Sequence, residues 1–259
     1  MRLFLLSAFV LIISTFACYA VEPEAKKLSV NVEVGMFGSV GNAIDSRWQI
    51  RKTAWSYYDY GYSNYGAPYD NLQVSYFGVK PEYLFAGDKL CVSTGLRFSD
   101  VYSSLASGLA TDNNAFYLLY NQTSDATEYA KVKELSQDNY YLSVPVELTY
   151  IPWRWNSLSL YAKVGAEFGF LLNSTSDIVF LNSSMDAYKQ LIMTKAGVNP
   201  NPLYSTFYTA VGVKFGKPNK LKYNFELNLP SRLLTQNNSS ILNIGVLTGF
   251  SFSVSIPFK

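Results

Sequence analysis

The chain has 259 residues, of which 49% are hydrophobic and 15% charged, with a formal net charge of +2 and no histidine. Without histidine there is no Ser-His-Asp triad, no Cys-His pair and no His-ligated metal, and so even a charge balance leaves no electrostatic footprint for nucleic acid. Mean hydropathy is +0.04, too low for a helical membrane protein, while 21 Tyr and 17 Phe tilt the composition towards strands.

Residues 1–20, MRLFLLSAFVLIISTFACYA, carry one cation at Arg2, then an apolar run Leu3–Ile13. Cys18 and Ala20 lie three and one positions ahead of a cut before Val21. That is the architecture of a cleaved secretory signal. Lipidation of Cys18 is the rival reading, but Thr15-Phe16-Ala17 lacks the Leu-then-small pattern expected before a lipidated cysteine. Cleavage leaves Cys91 as the single thiol, so neither an intramolecular disulfide nor a zinc site is expected. Residues 21–259 are then one domain.

No later stretch approaches eighteen uninterrupted apolar residues; alternation recurs instead. Leu28–Phe37 sets Leu28, Val30, Val32, Val34 and Met36 against Asn31 and Glu33. Leu72–Phe85 changes phase, from Leu72, Val74 and Tyr76 to Phe77, Val79, Tyr83 and Phe85, which predicts a bulge near Tyr76–Phe77. Leu90–Tyr102, Tyr140–Ile151, Leu158–Leu172, Leu203–Phe215 and Leu221–Leu229 follow, each with one greasy and one polar or small face. The closing run ILNIGVLTGFSFSVSIPFK alternates from Leu242 to Phe258. Period two, with one face for lipid and one for an interior, predicts eight transmembrane strands.

The links alternate in length. Ala86–Lys89, Pro152–Ser157 and Gly216–Lys220 are short and rich in turn residues. The links after the first, third and fifth strands are about thirty residues long, and the link after the seventh, Pro230–Ser240, is of medium length. Short turns at one end and long loops at the other predict an all-β, eight-stranded, antiparallel up-and-down barrel in the cell outer membrane, of the size of the OmpA and OmpX barrels, with both termini at the periplasmic end.

The same alternation aims ten charged side chains inward: Glu33, Lys80, Glu82, Arg97, Glu147, Lys163, Glu167, Lys214, Lys222 and Glu226. A barrel of eight strands is only wide enough for side chains to fill it, and confined charges must pair or pay for desolvation. A salt-bridged plug is therefore expected over a conduction path or a catalytic carboxylate pair. The first long loop, WSYYDYGYSNYGAPYDN, offers Trp55, Tyr57, Tyr58, Tyr60, Tyr62 and Tyr65 as a possible contact surface, although packing over the barrel mouth or at the headgroup level is the simpler reading. Trp153 and Trp155, flanking Arg154, read as interface anchors. Ser183–Gly197 has the cap, helix formers and final glycine of a short loop helix. No phosphate loop, metal-ligand spacing or nucleophile elbow is present, so no cofactor is expected.

Three segments, SYFGVKPEYLF ahead of a short turn, YLSVPVELTY ending at Tyr150, and the closing SVSIPFK, resemble the PorT-like outer-membrane β-barrel domain family. Pro145 is foreign to a strand interior, yet the family's matching strand has one there. Phe258 resembles the terminal signal read by the outer-membrane assembly machinery, with the departure that Lys259 follows it. The resemblance implies an eight-stranded barrel and, from the family's namesake, a role in protein export by the type IX system. It carries no catalytic residue. Beside outer-membrane lipid and the assembly machinery, an envelope or secretion protein is the expected partner. The expected function is a non-enzymatic barrel with a structural, surface-interaction or secretion-accessory role and a largely plugged lumen; the alternative is a small passive porin-like channel. A hydrolase using carboxylates alone is the weakest reading, given the missing histidine.

Overall fold

The computed structural model describes residues 28–39, 42–43, 49–52, 69–85, 89–106, 115–122, 126–155, 157–196, 199–217, 219–235, 238–243 and 246–258. Residues 1–20, where a secretory signal is expected, the Tyr-rich part of the first loop and Lys259 lie outside them.

Eight strands pair in a closed antiparallel ring: β1 (Leu28–Ser39), β2 (Tyr69–Phe85), β3 (Leu90–Thr94 and Leu96–Ala106), β4 (Thr127–Trp155), β5 (Leu158–Phe180), β6 (Leu203–Phe215), β7 (Lys222–Leu233) and β8 (Val246–Pro257). Each strand pairs with its neighbour in sequence, and β8 returns to β1 from Ser29↔Pro257 to Gly38↔Thr248. Closure leaves no strand edge in the ring. The alternation is clearest on β4, where every second residue from Tyr141 to Ile151 is buried and those between are exposed.

Prolines mark two interruptions. The β3–β4 ladder runs to Thr94↔Val146 and resumes at Arg97↔Ser143, so the gap at Gly95 falls opposite Pro145, which has no N–H to give. On β7, pairing slips by one residue against both β6 and β8 around Leu229–Pro230, a bulge that accommodates Pro230. The strand therefore does not end at Leu229, as its alternation predicts, but continues to Leu233.

The bulge expected near Tyr76–Phe77 is absent: β2 keeps one register against β1 from Leu28↔Tyr83 to Ser39↔Leu72, and one against β3. Leu72, Val74 and Tyr76 face inward and are buried, whereas Phe77 and Val79 face outward. What changes along β2 is the interior, which is polar in one half and apolar in the other. A second correction concerns β4 and β5, which are 29 and 23 residues long where a membrane strand needs only about 9–11. Their outer halves absorb much of the two loops expected there, and Ala115–Gln122 adds to the projecting part of β4, with Gln49–Lys52 beyond it. The expected loop helix is present as a 3₁₀ turn, Ser183–Tyr188, followed by α1 (Lys189–Ala196).

The outer wall carries the apolar band. On β4 it runs through Leu142, Val144, Val146, Leu148 and Tyr150 to Trp153 and Trp155, all exposed. At ~3.3 Å per residue and a tilt of ~40°, Leu142 to Trp153 spans about 25–30 Å, the height of a hydrocarbon core. Beyond Leu142 the outward positions become Tyr140, Asp138, Ser136 and Glu134. Aromatic pairs mark both rims, with Trp153–Trp155, Tyr83–Phe85 and Tyr223–Phe252 at the turn end and Phe98–Tyr140 at the loop end. A closed sheet, apolar outside and flanked by aromatic girdles, is the architecture of an outer-membrane-type transmembrane barrel.

Candidate functional site

Within the membrane half, inward positions of seven strands bring their charges to one place. Arg97 on β3 is the hub: it binds Glu33 on β1 (Nη2 to Oε1, 2.6 Å), Glu147 on β4 (3.2 Å) and Glu167 on β5. Its guanidinium lies between two tyrosine rings, 4.3 Å from the Tyr76 centroid and 5.4 Å from that of Tyr208, so its faces as well as its edges are satisfied. Lys80 joins Glu33 and Glu147 at 2.6 Å each. Lys163 joins Glu226 at 2.5 Å and Glu147 at 3.3 Å. Lys214 meets Glu82 at 3.4 Å nearer the turn end. Lys222, the first residue of β7, is half-buried at the rim.

Neutral partners complete the carboxylates. Glu147 accepts from Tyr208 Oη at 2.7 Å and Ser93 Oγ at 2.9 Å, Glu226 from Tyr161 Oη at 2.9 Å, Glu82 from Asn31 Nδ2 at 2.9 Å, and Glu167 from Ser143. Desolvating so many ions is tolerable only because each meets opposite charge and hydrogen bonds. Alternation puts Asn31, Ser93, Ser143 and Tyr161 on the same face as Arg97 and Glu147, but which carboxylate each one meets is set by register across the sheet.

Four of the inward tyrosines lie directly across from glycines, Tyr76 from Gly35, Tyr161 from Gly212, Tyr208 from Gly165 and Tyr204 from Gly169, and at the first three the ring occupies the space a glycine Cβ would take. A Cβ at Gly212 would sit 2.4 Å from Tyr161 Cζ, and one at Gly35 would sit 2.3 Å from Tyr76 Cζ. Each of those three glycines lets a ring lie flat on the sheet, leaving the phenol free to reach the charges. Gly212→Val is expected to displace Tyr161 from Glu226 and to cost about 1–3 kcal/mol in urea unfolding of the vesicle-embedded barrel. Adding Tyr161→Ala, which vacates the space, should recover part of that loss; strict additivity of the two changes would refute the coupling.

Above the charges the interior becomes an apolar core. Leu72, Val74, Val101, Leu105, Leu135, Tyr141 and Ile178 from the wall meet Ile192 from α1 and Ile241 and Leu242 from the last loop. Thus Leu242, expected on the lipid-facing side of a long closing strand, is turned inward; the strand proper begins at Val246. Residues 238–240 are clamped onto the inner face of β4. Asn139 Nδ2 donates to the Asn238 carbonyl at 2.9 Å, Gln137 Nε2 to Ser240 Oγ at 2.7 Å, and Ser240 N back to Gln137 Oε1 at 2.9 Å. Beside this latch a cleft of about 350 Å³ opens between α1 and β5, lined by Leu171, Ser174, Ser176, Lys189, Gln190, Met193, Asn199 and Pro200.

Trp55, Tyr57, Tyr58, Tyr60, Tyr62 and Tyr65 lie outside the described residues. Phe258 is exposed in the girdle at the turn end, its N–H bonded to the Leu28 carbonyl at 3.0 Å. No group of His, Cys, Asp and Glu among the described residues is arranged to hold a metal.

No protein-family model and no curated protein matches the chain. Among solved structures, the outer membrane protein OprG from Pseudomonas aeruginosa aligns at 11% identity over 88% of this chain and 96% of its own, with a TM-score of 0.38. The translocator domain of autotransporter NalP from Neisseria meningitidis aligns at 8% identity over 99% and 96%, TM-score 0.32. LpxR from Salmonella typhimurium aligns at 9% over 89% and 100%, TM-score 0.28. The barrel architecture stands on the strand register and the outward band described above.

Proposed function

We propose that the chain works in the outer membrane as a closed, non-enzymatic barrel acting through the surface it presents beyond the bilayer, in a structural, surface-interaction or secretion-accessory role. The observation that carries this reading is the filled lumen: paired charges in the membrane half, an apolar core in the outer half, and a latched segment across the mouth. A barrel stoppered twice has little to transport through its axis, while β4 and β5 continue past the apolar band and hold an exposed platform at the loop end. Kinship with the PorT-like family, an envelope or secretion protein as partner, and Phe258 as the assembly signal belong to the same proposal.

Planar-bilayer recording tests it. The refolded protein is expected to show no reproducible open state, and Arg97→Ala, which breaks the hub of the plug, to give transient openings. A stable open level in the unsubstituted protein would replace the sealed barrel by a passive channel.

A further inference from the structure

The three tight turns that close one end of the barrel each present cations. Lys89 follows β2, Arg154 lies between the last residues of β4, and Lys217 and Lys220 join β6 to β7; all four side chains are exposed. Lys214 and Lys222 lie half-buried just inside. Among the described residues the carboxylate at this end is Glu82, which is buried and bonded to Lys214 and Asn31. Among the described residues the exposed charges there are therefore all positive; Asp88, which precedes Lys89 in the first turn, lies outside them. The loop end, by contrast, mixes Lys133 with Glu128, Asp177 and Asp186, all exposed.

Depth adds the second part of the argument. Arg154 sits between Trp153 and Trp155, whose rings are exposed in the girdle. Such rings settle at the headgroup level, so cations on the same turns lie among the phosphates, with stems long enough to choose their height. Exposed cations clustered on the three turns at that depth gain little from zwitterionic headgroups and much from anionic ones, whose surface potential attracts each Lys or Arg.

We propose that the turn end is a docking collar for anionic phospholipid headgroups, of the phosphatidylglycerol class, in the leaflet that faces it. The collar rests on the membrane-spanning reading above. It would enrich such lipids around the barrel and fix the barrel's height in the bilayer.

The test uses the full mature chain refolded into vesicles of phosphatidylcholine alone, or of phosphatidylcholine mixed with phosphatidylglycerol, with heat-modifiable gel mobility followed against temperature. The unsubstituted protein should melt higher in the mixed vesicles, by on the order of 5 °C, and the difference should vanish in molar salt. The fourfold variant Lys89→Gln, Arg154→Gln, Lys217→Gln, Lys220→Gln should melt alike in both vesicles, and Lys217→Gln with Lys220→Gln alone should lose about half the difference. Equal melting of the unsubstituted protein in the two vesicles, or a lipid dependence that the fourfold variant keeps in full, overturns the collar. A rise produced by soluble polyglutamate but not by anionic lipid also overturns it, and points to an acidic polypeptide as occupant. Mobility that heating never changes, in any vesicle, would instead sink the barrel reading itself.

Discussion

Replacing Arg97 with leucine is expected to destabilise the folded barrel by about 3–5 kcal/mol, read as a drop in the urea midpoint of protein embedded in vesicles. Arg97 is almost fully buried and ties Glu33, Glu147 and Glu167 together. Its removal strands carboxylates in a space with no room for a full hydration shell, and that penalty exceeds the worth of any single contact. Arg97→Lys should fall between the two, because one ammonium cannot reach three carboxylates and stack between Tyr76 and Tyr208 at once. Adding Glu33→Gln and Glu167→Gln to Arg97→Leu should restore much of the loss, since neutral amides cost less to bury than unpaired ions. An unchanged midpoint for Arg97→Leu would mean that water, rather than the guanidinium, satisfies the cluster.

The second large effect concerns the outer wall. Val146 is exposed midway between Leu142 and Tyr150, near the centre of the apolar band. Val146→Arg is expected to cost about 2–4 kcal/mol, whereas Trp155→Arg, at the rim, should cost about 0–1 kcal/mol. The same urea titration measures both. Equal penalties at the two depths would place the bilayer elsewhere on the barrel, and no penalty at Val146 would remove the bilayer from that face.

These two substitutions lie on the faces that alternation separates, which is why both were legible in the chain. A period of two needs no tertiary knowledge: once Leu142, Val144 and Val146 are assigned to one side, Ser143 and Glu147 must occupy the other. The ten inward charges follow from the same rule, but their partners do not. Arg97 and Glu33 are 64 residues apart in sequence and meet because β1 and β3 flank β2 with both residues in register with Gly78, whose missing side chain leaves room between them, a consequence of register rather than of local pattern.

The failures have a common physical source. Reading β2 as broken at Tyr76–Phe77, and Leu242 as facing lipid, assumes that apolar side chains point outward and polar ones inward along the whole height of the barrel. That holds only where lipid surrounds the wall. Above the band, water is outside, and the apolar side chains of β2, β4 and β5 turn inward as in any soluble domain. The phase of the strand stays constant while the environment on its two sides exchanges, so an apolar residue changes face without a bulge.

By itself, then, the sequence determined the eight alternating segments, the short and long connections and the two-faced wall, because these depend on neighbours two residues apart and on turn chemistry. The tertiary structure alone decided how far β4 and β5 run past the membrane, which carboxylate each cation meets, that Tyr76, Tyr161 and Tyr208 rest on glycines across the sheet, and that residues 238–240 latch the mouth. Those outcomes depend on register and closure, which bring together residues that no local window contains.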